Sequence, residues 1–224
     1  RNQAFFAEAY RDHPHIHAPD VVPDRCSPRV LTTELATGAR FDEARTWPQE
    51  ERDLAGETIY RFVMGSLYRL RAFNGDPHPG NYLFQPGGRV VFLDFGLVKH
   101  FTDEEIAVFT AMVRAMVVDR DVAAFRRVIE AAGLLPPGAP FDDQHVEEYF
   151  GHFYEFVLEP GPVTMTPAYA SESVRRIFDS SGPYGDIMRA ANVPPSFAII
   201  QRINMGLYAV LGELRATRDW RKIA

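Results

Sequence analysis

The sequence predicts an α+β fold that is mostly helical, and three local patterns support this prediction. Apolar residues repeat with helical spacing over residues 49–71 and again over 194–214. Residues 102–105 read Thr-Asp-Glu-Glu, the pattern of a capping box that opens a helix. Residues 85–88 read Gln-Pro-Gly-Gly between two short apolar runs, which is typical of a β-hairpin turn. The chain has 224 residues, of which 46% are hydrophobic, and this is enough for a globular core.

The first part of the chain is expected to combine a helix with two strands. Residues 2–10 have the character of a helix end, which Pro14 terminates. Residues 16–22 and 29–35 are expected to be strands joined by a polar turn. Gly38 then marks a change in character, and the long helix over 49–71 follows.

The rest of the chain alternates one hairpin with several helices. The hairpin strands are expected at 82–84 and 90–93. The capping box opens a helix with an apolar face that extends to Val117. Further helices are expected at 122–132, 144–158, 172–179 and from 194 onwards.

Composition and charge exclude several classes of function. The net charge is −6 and no basic run occurs, so nucleic acid is not an expected partner. Cys26 is the single cysteine, which rules out a disulfide within the chain and argues against a thiolate metal site. No stretch approaches the roughly 20 apolar residues that span a bilayer, and no signal peptide is recognisable. We expect a cytoplasmic protein and leave peripheral membrane contact open. The first residue is Arg1 and not Met, which suggests a start inside a larger protein.

Three polar residues have the spacing of a phosphoryl-transfer site. Asp76 is followed five residues later by Asn81, and thirteen residues after that by Asp94 in an Asp-Phe-Gly string. Such a site needs a carboxylate that positions or deprotonates the nucleophile, and oxygen ligands for Mg²⁺ on a triphosphate. We predict Asp76 as the catalytic carboxylate, and Asn81 and Asp94 as metal ligands. Taken singly, each residue also fits an ordinary turn or strand end.

Four strings of this sequence resemble the UbiB-like (ADCK) atypical kinase family. They are Gly-Asp-Pro-His-Pro-Gly-Asn at 75–81, Val-Phe-Leu-Asp-Phe-Gly at 91–96, Pro-Asp-Val-Val at 19–22 and Val-Leu-Thr-Thr-Glu-Leu at 30–35. The similarity is dense over residues 2–101 and looser in the helical tail. A shorter string, Asp-x-His-Pro-Gly-Asn, occurs in aminoglycoside and choline kinase-like enzymes, which are therefore the nearest alternative.

The resemblance implies a protein-kinase-like fold that holds ATP and Mg²⁺ between two lobes. Residues 1–37 would be a remnant of the small lobe, with a helix end, two strands and the hinge. Residues 38–224 would form the large helical lobe. Asp76 matches the catalytic aspartate of the family, and Asn81 and Asp94 match its metal ligands. Glu34 and Leu35 fall where the hinge meets the adenine of the nucleotide.

The family is also linked to isoprenoid-quinone synthesis and lipid metabolism, with ATPase activity better supported than protein phosphorylation. The resemblance therefore implies a nucleotide partner and a small-molecule or lipid substrate. Residues 97–101 lead directly into the helix at Thr102, without an Ala-Pro-Glu string. A docking platform for protein substrates is therefore not evident.

The sequence departs from the family pattern in two places. Asn74-Gly75 stand where the family usually has His-Ala or similar residues. A glycine- or alanine-rich nucleotide loop, a Lys-x-Gly-Gln string and a lysine in a Val-Ala-Ile-Lys-like context are all missing. Because phosphoryl transfer depends on positioning of the phosphates, we expect this chain alone to bind nucleotide weakly and to turn over little.

Two other functions remain open from the sequence. A small-molecule phosphotransferase of the aminoglycoside type would have an acidic, open substrate cleft in the helical tail. A non-catalytic, pseudokinase-like module would hold a partner or lipid without using Asp76 or Asp94 for chemistry.

Overall fold

The computed structural model describes residues 1–74 and 77–223, and helices make up most of it. The elements of the first half are α1 (Asn2–Ala9), β1 (Ile16–His17), α2 (Phe41–Ala44), α3 (Gln49–Tyr68), β2 (Ala72–Asn74), β3 (Tyr82–Gln85), β4 (Arg89–Phe92) and β5 (Val98–His100). The elements of the second half are α4 (Asp103–Val113), α5 (Val122–Ala131), α6 (Asp143–Phe150), α7 (Glu155–Leu158), β6 (Val163–Thr164), α8 (Pro167–Phe178), α9 (Gly185–Ala190), α10 (Pro195–Leu214), β7 (Thr217–Arg218) and α11 (Trp220–Ile223). A π-helical turn, Arg114–Val118, continues α4.

The strands form small sheets around one hairpin. The largest sheet has the order β1-β4-β3, in which β4 is parallel to β1 and antiparallel to β3. The hairpin turn contains Gly88 at φ +74°, where a Cβ would lie 2.5 Å from the Cβ of Leu54. Only glycine combines an unstrained positive φ with the absence of a Cβ. Two separate two-stranded sheets pair β2 with β5 and β6 with β7.

The core under the hairpin is aromatic and joins the N-terminal helix to the rest of the chain. Phe62 of α3 stacks on Phe92 of β4, with ring centroids 3.8 Å apart. Phe6 of α1 packs against Phe62 at 5.8 Å and stacks on Phe95 at 4.9 Å. Residues on both sides of the expected lobe boundary at 37/38 therefore share one core.

The predicted helices and hairpin are largely confirmed. Helices α1, α3, α4, α5 and α10 begin within one residue of their predicted starts. Thr102 accepts a hydrogen bond from the Glu105 backbone N–H, and the Glu105 carboxylate accepts one from Thr102, so the capping box is complete. Strands β3 and β4 pair in the expected antiparallel way.

Several boundary predictions were wrong for physical reasons. The strand predicted over 29–35 is absent, and the one predicted over 16–22 shrinks to β1, with isolated bridges such as Val21 to Thr33. Pro19, Pro23 and Pro28 have no backbone N–H and cannot complete a strand ladder. The helix predicted over 144–158 is interrupted by a 3₁₀ turn, Gly151–Tyr154, and the helix predicted over 172–179 begins earlier, at Pro167.

Short elements were missed by the sequence analysis. Strands β2, β5, β6 and β7 have two or three residues each, too few for an alternating pattern to show. Across the described part of the chain, no helix combines the length and apolar character needed to cross a bilayer.

Candidate active site

The β3–β4 hairpin brings two of the predicted site residues to one end. The register pairs Tyr82 with Phe92, and the next pair outward is joined by a 2.9 Å hydrogen bond from the Leu93 N–H to the Asn81 carbonyl. Asn81 therefore lies opposite Leu93, and Asp94 is the next residue along the chain. A local hairpin is thus sufficient to place an amide and a carboxylate side by side.

The position of Asp94 is fixed through both its side chain and its backbone. Its carboxylate is exposed, and Oδ1 accepts a 2.7 Å hydrogen bond from the Gly96 backbone N–H. Its carbonyl oxygen accepts a hydrogen bond from the side-chain amide of Asn74, a residue that is only 4% exposed. Asn74 is held in β2, where it pairs with Val98 of β5.

Phe95 attaches the same segment to the N-terminal helix. Its ring is buried and stacks on Phe6, while its carbonyl oxygen accepts a 3.0 Å hydrogen bond from the Asn2 side-chain amide. Asn2 and Phe6 are one turn apart on α1, so a single face of the helix makes both contacts. Helix α1 therefore fixes the backbone directly after Asp94.

The loop before β3 is shaped by a short 3₁₀ turn, Pro79–Asn81. Nδ1 of His78 accepts a 3.0 Å hydrogen bond from the Gly80 N–H, and the His78 carbonyl accepts one of 2.9 Å from Asn81. His78 is thus a capping residue of this turn. On the other side, Pro77 lies against α10 so closely that a Cβ at Gly206 would be 2.0 Å from its Cγ.

The predicted catalytic residue, Asp76, lies outside the described residues, as does Gly75. Its assigned role therefore stays a prediction. Two residues close to it in the chain are described: the Asn74 amide donates to the Asp94 carbonyl, and Pro77 packs against Gly206 of α10.

Of the two predicted hinge residues, Glu34 contacts the β1-β4-β3 sheet and Leu35 is exposed. Glu34 Oε2 lies 3.1 Å from Nε2 of His17, and the Glu34 N–H donates to the Asp20 carbonyl at 2.8 Å. Leu35 is 87% exposed. Ala39 then exchanges two 2.8 Å backbone hydrogen bonds with Phe84 of β3. The segment after Leu35 is therefore attached to the same hairpin that carries Asn81.

The ligand chemistry of Asn81 and Asp94 fits Mg²⁺. An amide oxygen and a carboxylate oxygen are hard ligands, and Mg²⁺ usually takes one or two carboxylates with phosphates and water in its remaining positions. In the two described ranges, no group of three or more His, Cys, Asp or Glu residues is placed to enclose a metal by itself. A site of this kind needs oxygen atoms from a bound phosphate.

Sequence reasoning missed the residues that support the site. Asn74 was noted only as a departure from a family pattern, and Asn2 and Gly206 were not singled out. Their contacts join segments between 20 and about 130 residues apart, which no local pattern reports. A weak signal was available for Asn74, since a polar residue beside apolar Ala72 and Phe73 must find a hydrogen-bond partner when buried.

A hairpin with Asn81 and Asp94 at one end, set against a helical lobe, defines a kinase-like fold. The sequence profile of the ABC1 atypical kinase-like domain matches residues 1–129. The chain belongs to this family, as the resemblance to UbiB-like (ADCK) kinases predicted.

Named relatives agree with this assignment. The chain is similar to "Protein ACTIVITY OF BC1 COMPLEX KINASE 1, chloroplastic" of Arabidopsis thaliana, with 35% identity over 44% of this chain and 15% of the relative. It is 30% identical to "Atypical kinase COQ8B, mitochondrial" of Rattus norvegicus over 66% of this chain and 29% of the relative. It is 25% identical to "Atypical kinase coq-8, mitochondrial" of Caenorhabditis elegans over 95% of this chain and 28% of the relative.

A solved structure confirms the fold over nearly the whole chain. The structure of Rv3197 from Mycobacterium tuberculosis in complex with erythromycin superposes with a TM-score of 0.80 at 25% identity. The match covers 99% of this chain and 55% of that one. The chain thus spans about half of that protein and less than a third of each relative named above.

Proposed function

We propose that this chain carries the Mg²⁺-binding and catalytic part of an ATP-dependent phosphoryl-transfer or ATPase domain. The observation that carries the proposal is the hydrogen bond between Leu93 and Asn81, which sets Asn81 and Asp94 at one end of the hairpin. Family membership supports a kinase-like class of activity. By the family's link to isoprenoid-quinone and lipid metabolism, the substrate we propose is a small molecule or a lipid.

The residues have separate tasks in this proposal. The Asp94 carboxylate and the Asn81 amide oxygen hold Mg²⁺ against the phosphates of ATP. When bound, Mg²⁺ supplies positive charge that offsets the charge of the transferred phosphoryl group. Asp76 orients the attacking hydroxyl or water and accepts its proton. The segment at Glu34 and Leu35, two exposed residues, contacts the adenine.

We further propose that nucleotide binding to this chain alone is weak. Lysines occur at positions 99 and 222. Lys99 forms an ion pair with Glu105 at 3.0 Å, and Lys222 belongs to α11 near the C-terminal end. Neither is in the setting from which a kinase lysine holds the α- and β-phosphates. For the whole protein we propose a cytoplasmic location and leave peripheral membrane contact open.

The aminoglycoside-type alternative is less well supported by the helical tail. That alternative predicts an acidic and open substrate cleft there. Within residues 1–74 and 77–223, the cavity found among the helices has no Asp or Glu side chain in its wall. The erythromycin complex of Rv3197 nevertheless makes a small-molecule ligand a reasonable second subject for binding assays.

The test is the variant Asp94→Asn. The amide oxygen of Asn can still accept the hydrogen bond from Gly96, so the fold is expected to be kept while the charge is lost. At millimolar ATP, which compensates for weak binding, we expect the Mg²⁺-dependent thermal shift by ATP to disappear in the variant, and the slow ATP hydrolysis of the unmodified protein to fall by about 100-fold or more. The melting temperature without ligand should change by less than about 2 °C.

The matched control is Asp42→Asn on α2, an exposed carboxylate whose removal should leave both readings unchanged. Equal ATP binding and hydrolysis by the Asp94→Asn variant and the unmodified protein would contradict the proposal and favour the pseudokinase-like module.

A further inference from the structure

A cavity of about 320 Å³ lies inside the helical part, away from the hairpin. Helices α3, α4 and α10 and the segment around α7 enclose it, and aromatic and aliphatic side chains form most of its wall. Examples from four different segments are Met64, Phe109, Phe156 and Ile200. The cavity is partly open to solvent, with the exposed Thr110 in its wall, and its volume is typical of a pocket that binds a small molecule.

Three tyrosine hydroxyls in the wall have no hydrogen-bond partner. They belong to Tyr60, Tyr68 and Tyr154, and none of them bonds to another residue within 1–74 or 77–223. Nearby tyrosines behave differently. Tyr208 donates to the Phe153 carbonyl at 2.7 Å, and Tyr169 donates to the His152 carbonyl at 2.6 Å. Because the three hydroxyls make no hydrogen bond within the described chain and border the open space of the cavity, they are available to a ligand.

Two side-chain amides join the three tyrosine hydroxyls as polar groups in the cavity wall. Gln201 and Asn204, neighbours on α10, also line the cavity, and their side chains make no hydrogen bond to the rest of the described chain. Burial raises the pKa of Tyr68 to about 12, and it also raises the pKa of Tyr154. Both hydroxyls therefore keep their protons at neutral pH and act as donors.

The cavity is also without charge. Among the described residues, no Asp, Glu, Lys, Arg or His side chain contributes to its wall. Burying an unpaired charge costs far more than burying an apolar group, so a charged ligand such as a carboxylate would bind poorly. The pattern of neutral donors in an apolar wall selects uncharged molecules that carry a hydrogen-bond acceptor.

We propose that this cavity is a binding site for an uncharged, mostly apolar molecule that carries a carbonyl oxygen. The carbonyl would accept hydrogen bonds from the hydroxyls of Tyr68 and Tyr154 and from the amides of α10. An engineered apolar cavity of about 150 Å³ holds benzene, so a cavity about twice as large has room for two rings. The proposal does not depend on phosphoryl transfer at the hairpin.

The first test uses three probes that differ in a single group, measured by calorimetry without nucleotide. Benzophenone has the carbonyl, diphenylmethane has a CH₂ in its place, and diphenylacetate carries a negative charge. We expect benzophenone to bind at least about fivefold more tightly than diphenylmethane, which corresponds to one or two net hydrogen bonds. Diphenylacetate should not bind measurably. Equal affinity for all three probes would overturn the proposal.

The second test removes the hydroxyls. The double variant Tyr68→Phe/Tyr154→Phe keeps the rings and breaks no hydrogen bond of the described chain, so it should fold. We expect its affinity for benzophenone to fall by about tenfold and its affinity for diphenylmethane to stay the same. Tyr149→Phe, a buried tyrosine outside the cavity wall, is the control and should change neither.

The location of the ligand can be read directly, because irradiated benzophenone inserts into nearby C–H bonds. Mass spectrometry should find the label on cavity residues, with Met64 and Met112 as the expected sites, and excess unlabelled ligand should prevent it. Labelling spread over surface helices, or unchanged affinity in the double variant, would refute the site. Gln201→Leu, with an expected loss in benzophenone affinity of about threefold or more, provides a further check should the double variant prove unstable.

Discussion

At the residue scale, Asp94 shows how one side chain can be placed by contacts of two kinds. The hairpin brings it beside Asn81, and this placement follows from residues close in the sequence. Its orientation depends on the buried Asn74, whose amide donates to the Asp94 carbonyl. A residue that touches no ligand in the proposed function therefore helps to fix the backbone of the proposed metal ligand.

We predict that Asn74→Asp destabilises the protein by about 2 kcal/mol, because it turns a buried donor into an acceptor that faces a carbonyl oxygen. Urea unfolding measures this loss. The control is Asn192→Asp, since Asn192 donates to the Gly133 carbonyl at 3.2 Å but is exposed. That change should cost less than about 0.5 kcal/mol. Equal losses in the two variants would mean that burial of Asn74 does not matter.

A second residue-scale prediction concerns pH. Hydrogen bonds from Arg175 and Arg176 lower the pKa of Glu172 from 4.5 to about 2. A lowered pKa in the folded state stabilises the protein fully above the unfolded value, and this stabilisation is lost as pH falls from about 4.5 towards 2. We expect Glu172→Gln to cost about 1 kcal/mol at pH 7, since the carboxylate is partly exposed.

The cost should shrink when the urea unfolding of Glu172→Gln is repeated at about pH 3. A difference between variant and unmodified protein that is independent of pH would show that the ion pairs with Arg175 and Arg176 do not cause it.

At the element scale, α10 connects two parts of the molecule. One side of it lines the apolar cavity through Gln201 and Asn204, and Gly206 on the same helix touches Pro77 of the motif loop. The sequence of α10 therefore meets two requirements. It supplies an apolar surface to the core, and it has glycine at position 206, where Pro77 leaves no room for a side chain.

We predict that Gly206→Ala destabilises the protein by about 1–3 kcal/mol and weakens Mg²⁺-ATP binding, because the new Cβ would sit 2.0 Å from Pro77 Cγ. Alanine normally favours a helix over glycine by about 1 kcal/mol, so the loss would be due to the contact. Gly65→Ala on α3 is the control. Its Cβ would meet only the Tyr10 hydroxyl, at 3.2 Å, so it should cost clearly less than Gly206→Ala. A Gly206→Ala variant as stable as the unmodified protein would disprove the close contact.

Elements whose signals are local could be predicted from the sequence. The capping box at Thr102, the β3–β4 turn and the apolar period of α10 each depend on residues within one element. Of the strands predicted near residues 16–35, only the short β1 forms, because alternation of apolar residues did not account for the prolines there. In the site, Asn81 and Asp94 could be predicted as neighbours, whereas the contacts of Asn74, Asn2 and Gly206 depend on tertiary packing.

At the scale of the whole molecule, the N-terminal segment is part of the main core. Strand β1 pairs with β4 in parallel, and Phe6 is fully buried between Phe62 and Phe95. The predicted small-lobe remnant, residues 1–37, therefore contacts the hairpin that carries the proposed metal ligands.

We predict that Phe6→Ala lowers the free energy of unfolding by about 3–5 kcal/mol, because it empties the space between the rings of Phe62 and Phe95. Unfolding should remain a single transition, monitored together by far-UV circular dichroism and tryptophan fluorescence. Phe5→Ala, at a neighbouring position with 39% exposure, is the matched control and should cost less than about 1 kcal/mol. A separate early transition would show that residues 1–37 unfold on their own.

The contact between Gly206 and Pro77 has a consequence for how the sequence can vary. Two positions 129 residues apart occupy the same space, so the residue allowed at one depends on the residue at the other. While position 77 is proline, position 206 has no room for a side chain. Replacing Pro77 with glycine frees that room, and Gly206→Ala should then cost little. Among related chains, a residue larger than glycine at 206 is expected only where 77 carries a smaller one.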